Sequence, residues 1–193
     1  MQGSVGRLGV WPPSAYTIND EGRYQVMKHP VGRTQNGKQV YVDLIYSDAA
    51  KHIAAQPHLL RLIAEVLPQT TLTGSSLSIE CDMGRTIGYD FVVSTGETDS
   101  VFYAQLVHDN IFTRFIKNGE PLATPYLTLV LELDTKKDVY ELRNAWIGRL
   151  CPPLPGSEQE IAESKAYWAR HAFVLSNQPL QLRTVTKTCP YPA

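Results

Sequence analysis

The chain has no apolar run long enough to span a bilayer and no basic-then-apolar pattern at its start. Those absences argue against a spanning helix and a cleaved secretory signal, so the expected location is cytoplasmic, with no membrane partner. Export by a route that cleaves no signal stays compatible with them. Cysteine is scarce: Cys81, Cys151 and Cys189 are odd in number and stand in no CxxC or His–Cys spacing. A disulfide framework and a structural zinc site are therefore not expected. Net charge is also lacking, since 18 basic residues face 19 acidic ones. No global field then draws the protein to nucleic acid or anionic lipid, and any RNA contact has to come from a local patch. The sequence contains no GxxxxGK[ST], no GxGxxG after a strand, no HExxH and no GxSxG. Gly84-Arg85-Thr86-Ile87-Gly88 has glycines but precedes a strand rather than a helix, which makes a poor phosphate cradle. Neither cofactor nor metal is expected.

What is present is a chain of 193 residues, 43% hydrophobic, enough for one domain with a real core. Residues 1–16 mix Gly, Ser and Pro without period and are expected as a flexible arm, with a single domain over 17–193. Tyr24–Lys28 and Gln39–Tyr46 have strand composition, and His29-Pro30-Val31-Gly32 between them reads as a turn. Ser47-Asp48 caps a helix that breaks at Gln56; a second helix runs from Pro57 to Val66, and Pro68 stops it. Leu77–Cys81 and Thr86–Ser94 are expected as a hairpin about Asp82–Arg85. Ser157 followed by Glu160 fits a capping box opening a helix over about 158–170. Two short strands, Ala172–Leu175 and Leu180–Thr188, close the chain. The fold class implied is α+β, a mainly antiparallel sheet with helices at about 48–67 and 158–170.

Val101–Gly148 is expected to act as the organising unit. Within it, Tyr126–Leu133 alternates strictly, with Leu127, Leu129, Leu131 and Leu133 on one face and Tyr126, Thr128, Val130 and Glu132 on the other. A polar loop of four or five residues leads into Val139–Ile147, giving a hairpin. Ahead of it, Ser100–Val107 and Ile111–Ile116 are strands joined by His108-Asp109-Asn110, which is good turn chemistry.

With no metal spacing, the inventory of His, Arg, Lys, Thr and Tyr suits metal-independent cleavage of RNA by attack of its 2′-hydroxyl. One group takes the proton, another protonates the leaving oxygen, and cations offset the transition-state charge. His108 is the candidate base or acid, Arg114 and Lys117 the candidate phosphate clamps, and Thr128 and Tyr126 the hydroxyls beside them. Arg143 and Arg149 would extend the patch, and Trp146 would stack a base. His171, after Arg170, is either a second catalytic histidine or a cation capping the preceding helix. Arg114 and Lys117 also read as solvated charges that protect a strand edge.

The run FYAQ…TRFIKNGEP…YLTLVLE…YELRNAWIGRLCPPLPG…ESKAYWARHAFV resembles small uncharacterised bacterial proteins whose strand pattern is similar to RNase toxin domains of the barnase–EndoU–colicin–RelE group. The similarity spans roughly Val101–Leu175. It implies a toxin-like ribonuclease with RNA as substrate, an antitoxin or immunity protein as partner, and catalytic roles for Arg114, Lys117, Thr128 and His171. The alternative is a non-enzymatic partner-binding module of a bacterial mobile element or effector system. A third reading, a nucleotide-dependent transferase using Arg114, Thr128 and Glu132, has no spacing that demands it. The first two part on one observation: whether Arg114, Lys117, Thr128 and His171 converge in one pocket.

Overall fold

A computed structural model describes residues 16–18, 24–26, 28–106, 110–175 and 182–191. In chain order it begins with β1 (Tyr16–Ile18), β2 (Tyr24–Val26), β3 (Lys28–Arg33), β4 (Gln39–Asp43), α1 (Asp48–Ala55), α2 (His58–Val66) and β5 (Ser76–Asp82). Next come β6 (Gly88–Asp90), β7 (Val92–Ser94), β8 (Val101–Leu106), β9 (Phe112–Ile116) and β10 (Leu122–Thr124). The chain closes with β11 (Tyr126–Asp134), β12 (Val139–Ile147), α3 (Ala162–Trp168), β13 (His171–Val174) and β14 (Leu182–Thr186). The fold is α+β with mostly antiparallel strands, as expected. Two compact units form, one drawn from Met1–Met83 with Tyr126–Ile147, the other from Gly84–Pro125 with Gly148–Ala193. A single domain was the expectation from residue 17 onward, and of the arm at 1–16 only Tyr16 is among the described residues.

In the first unit a five-stranded sheet has the order β3-β4-β12-β11-β5. Only β4 and β12 run parallel; the other pairs are antiparallel. Helix α1 packs on β12 and β4, and α2 on β3 and β12. Their apolar stripes, Ile53 on α1 and Leu59 and Ile63 on α2, are buried with Val40, Val42, Leu129, Leu131 and Leu142 of the sheet. Each such side chain contributes roughly 1.5–3 kcal/mol of burial. The expected helix start is met: Ser47 Oγ accepts from Ala49 N at 3.1 Å and donates to Leu142 O at 2.7 Å, tying the cap to the sheet. Gln56 ends α1, and Pro57 sits just ahead of α2, where its missing donor costs nothing.

The β11–β12 hairpin forms with a four-residue loop, Thr135–Asp138. Its register shifts once: Val130 faces Asn144 while Leu131 faces Leu142, so Arg143 is the extra residue of a β-bulge. The bulge switches the inward parity of β12 from Ala145 and Ile147 to Leu142 and Tyr140. It therefore brings the even-numbered Leu142 and Tyr140 to the same side as the odd-numbered Ala145. Asp138 takes a left-handed φ of 54° to turn the loop back into β12.

Four local expectations are corrected. Residues 29–32 continue strand β3, with a bulge between Pro30 and Gly32, because they pair with β4. The hairpin expected across Asp82–Arg85 is absent: β5 pairs with β11, β6 with β10 and β7 with β13. The third helix starts at Ala162, not at 158. Glu160 N donates to Ser157 O in a separate turn, and Ser164 Oγ accepts from Ile161 N at the true start. Val101–Gly148 is not one unit, since β8, β9 and β10 belong to the second unit and β11–β12 to the first.

The second unit's main sheet has the order β14-β8-β9-β13-β7, with β9 and β13 parallel and the other pairs antiparallel. Adjacent residues of β9 face opposite sides, and each supplies a core. Ile116 packs with Val93, Ala172 and Val174, and Phe115 with Phe102, Ala104 and Phe173. Trp168 of α3 stacks on Phe173 at 5.1 Å between ring centroids. Its Nε1 donates to the carbonyls of Pro152 and Pro153 at 3.0 and 3.1 Å, pinning the proline connector to the helix. Among the described residues no helix is long and apolar enough to cross a membrane.

Candidate functional site

The second unit carries a cavity of about 490 Å³. Its sheet wall is Tyr103, Phe112 and Arg114, its helix wall Lys165, Ala166, Trp168 and Ala169, and the remainder Leu154, Pro155, Cys189 and Tyr191. The register explains the sheet wall, because Tyr103 lies opposite Arg114 across β8 and β9. Gly156 explains the closing corner: at φ +79° a side chain is disfavoured, and a Cβ there would sit 2.9 Å from the Tyr191 ring. Tyr191 in turn donates its hydroxyl to Phe112 O, holding the chain end across the cavity.

Arg114 is fixed from behind. Its Nη1 donates to Thr95 Oγ1 at 2.8 Å and to His171 O at 2.9 Å, while its Nε is shut from solvent with no hydrogen-bond partner. The Tyr103 phenol is pushed above its ordinary range by burial, then by its hydrogen bond with Cys189, with Arg114 pulling the other way. Among the described residues the wall has two cations, two phenols and a thiol, but no carboxylate and no imidazole.

Of the described residues singled out in the sequence, Arg114 alone lines this cavity. Lys117 is exposed beyond the end of β9, its Nζ 5.5 Å from the centroid of the Phe102 ring. His171 is held as a structural residue: Nδ1 donates to Tyr167 O at 2.9 Å, Nε2 meets Ser94 Oγ at 3.3 Å, and the ring stacks on Tyr167 at 3.9 Å. Tyr167 belongs to the last turn of α3, so the imidazole caps that helix. His108 lies outside the described residues.

The others belong to different surroundings. Thr128 is in the first unit, where the expectation of a hydroxyl on the wet side is corrected. It pairs with Glu80 and Trp146, whose side chains lie beside it on the same face of the sheet, and is 0% exposed. Tyr126 is half-buried opposite Asp82, and Trp146 is half-buried beside Thr128. Arg143 is committed to carboxylates, with Nε on Glu132 at 2.7 Å and Nη1 on Glu141 at 2.6 Å. The Glu132 hydrogen bond raises its pKa. Arg149 is exposed in the second unit, its backbone N donating to Asp90 Oδ2 at 2.9 Å. Within the second unit Arg114 touches the His171 backbone, yet of Arg114, Lys117 and His171 only Arg114 lines the cavity, and Thr128 belongs to the first unit.

Sequence reasoning missed Tyr103, Lys165, Trp168, Cys189 and Tyr191. Tyr103 lies on a strand legible in the sequence, but strands at 100–107 and 111–116 about a turn at 108–110 set it opposite Phe115, one residue off its observed pairing with Arg114. Among the described residues no cluster of His, Cys, Asp or Glu could hold a metal ion. The chain matches no protein-family model, no curated protein and no solved structure.

Proposed function

We propose that the protein is a non-enzymatic binding module that receives an apolar partner group in the cavity of its second unit. The observation that carries the reading is the composition of that wall: aromatic and aliphatic surface around Trp168, with no carboxylate and no imidazole among the described residues. At about 490 Å³ the cavity falls in the range that holds small organic ligands or a buried side-chain anchor. A cation kept by the fold rather than by a carboxylate, Arg114, orients what enters.

The test uses Nile red, a neutral apolar fluorophore, titrated into the full chain. Binding is expected in the native protein and is expected to fall about tenfold or more in Ala166→Trp, which fills the cavity from an exposed helix position. Unchanged binding in that variant would move the apolar site elsewhere and remove the proposal. The ribonuclease reading draws less support, because Arg114, Lys117 and His171 face separate tasks and Thr128 is buried. Cleavage of total RNA in EDTA by the native protein, abolished in Arg114→Ala, would restore it.

A further inference from the structure

We propose that the protein pairs with a second copy of itself through β5, the two strands running antiparallel about Ile79 and joining their sheets into one. The surface lies in the first unit and is separate from the cavity of the second. Sheet edges carry unpaired backbone donors and acceptors, and folded proteins blunt them with prolines, basic side chains, bulges or short strands. The two five-stranded sheets end in β3, β5, β7 and β14. β3 has Pro30, a bulge between Pro30 and Gly32, and the cations Lys28 and Arg33. β14 has a bulge and the exposed Arg183, and β7 is three residues long. β5 has none of these devices. It runs for seven residues in unbroken register with β11, without proline, lysine or arginine.

The backbone of β5 is half used. Leu133 N donates to Ser75 O at 2.7 Å, so every second residue from Ser75 turns its backbone groups to β11. Leu77, Ile79 and Cys81 belong to that set. Ser76, Ser78, Glu80 and Asp82 turn theirs outward, where no strand pairs with them among the described residues. The apolar face is unfinished as well. Leu77, Ile79 and Cys81 lie opposite Leu131, Leu129 and Leu127, yet they are half-buried where those leucines are fully buried. The helices explain the difference, because α1 and α2 pack on β3, β4 and β12, toward the other edge.

The occupant that fits this edge is the same strand. In the antiparallel register that uses all seven residues, Ile79 meets the partner's Ile79 and Leu77 the partner's Cys81. Ser78 then meets the partner's Glu80, and Ser76 the partner's Asp82. The half-buried apolar margin is covered by its own kind, and each carboxylate faces a hydroxyl. Centring the pair on Glu80 would set two carboxylates face to face, which destabilises a ladder. Centring it on Ser78 would leave Cys81 and Asp82 beyond the end of the partner strand. The joined sheet would end in β3 on both sides, blunted as described, so the assembly closes at two copies.

Sedimentation velocity of the full chain tests this over roughly 1 µM to 1 mM, since a single ladder is a small interface and the expected Kd is on the order of 10–100 µM. Ser78→Pro removes an outward donor and no bond to β11. It is expected to weaken the dimer about tenfold or more while keeping the thermal transition. Ile79→Lys leaves the backbone alone and is expected to do the same, by setting two ammonium groups at the axis. Ile79→Cys, oxidised where the dimer forms, is expected to link the two copies through position 79 in peptide mass analysis. A native chain that stays monomeric throughout would overturn the proposal and leave the edge to an extended segment of another protein. A dimer that survives both Ser78→Pro and Ile79→Lys would overturn it by placing the contact elsewhere. Links to native cysteines in place of position 79 would overturn the register, and growth beyond two copies the closure.

Discussion

At the scale of single residues, neighbours decide what a side chain can do. Arg114 and Arg143 are the same group on two strands, yet Arg143 lies between Glu132 and Glu141 while Arg114 has neutral oxygens behind it. Glu141, two residues before Arg143, is the local difference, while Glu132 reaches it from across the hairpin. The cysteines diverge in the same way. Burial pushes the Cys151 thiol up to about 11, with the Asp90 charge adding to it, whereas Cys189 is exposed. At pH 8 the thiolate fraction of Cys151 should therefore be about a hundredfold below that of an unperturbed thiol. Timed iodoacetamide labelling followed by peptide mass analysis is expected to modify Cys189 first and Cys151 last; Cys151 labelled as fast as Cys189 would contradict its burial. The same shift has a sign for stability. The unfolded chain loses this proton near pH 9 and the folded one near 11, so folding weakens as pH rises through that window.

At the scale of elements, the helix pair was legible because its signals are local: a serine cap, a proline break and an apolar stripe each act within one turn. The leucine strand was legible for the same reason, and Leu127, Leu129 and Leu131 are all fully buried. Thr128 was not legible, because alternation assigns it a face but cannot say whether that face is wet. The return strand held a clue in plain view, since Ala145 and Ile147 are odd-numbered and Leu142 is even. Only a bulge reconciles them, and Arg143 is where it sits. Deleting Arg143 should therefore straighten β12 while keeping Ala145, Leu142 and Tyr140 inward. Deleting Glu141 should expel Tyr140, which is 2% exposed. Circular dichroism and urea titration are expected to find the Arg143 deletion folded, though weakened, and the Glu141 deletion unfolded. The opposite order would refute the bulge as the source of the parity switch.

At the scale of the whole molecule, the chain passes between its two units at residues 83–84, 125–126 and 147–148. The first unit's sheet places β12 and β11 between β4 and β5, although β12 begins well over fifty residues beyond β5. A chain that stops at Met83 lacks the centre of that sheet. Joining Asp82 to Tyr126, which pair directly, through an Asn-Gly turn should restore it as a continuous β5–β11 hairpin. We expect a protein of residues 28–82, Asn-Gly and 126–147 to show one cooperative urea transition, and residues 28–82 alone to show none. A joined chain without cooperative unfolding would mean that this unit does not stand by itself.

The sequence alone determined the elements whose causes lie within a few residues: the α+β class, the first helix pair, the β11–β12 hairpin and most strand positions. Caps, breaks and periodicity act over one or two turns of chain, so they can be read along it. Only the tertiary structure decided which strand pairs with which, that two units form, and that Tyr103, Arg114, Trp168 and Tyr191 enclose one cavity. Every strand offers the same backbone donors and acceptors at its edges, and that shared chemistry names no partner. The choice is made by burial across long stretches of chain, where Thr128 loses its solvent and Arg114 keeps a donor unanswered.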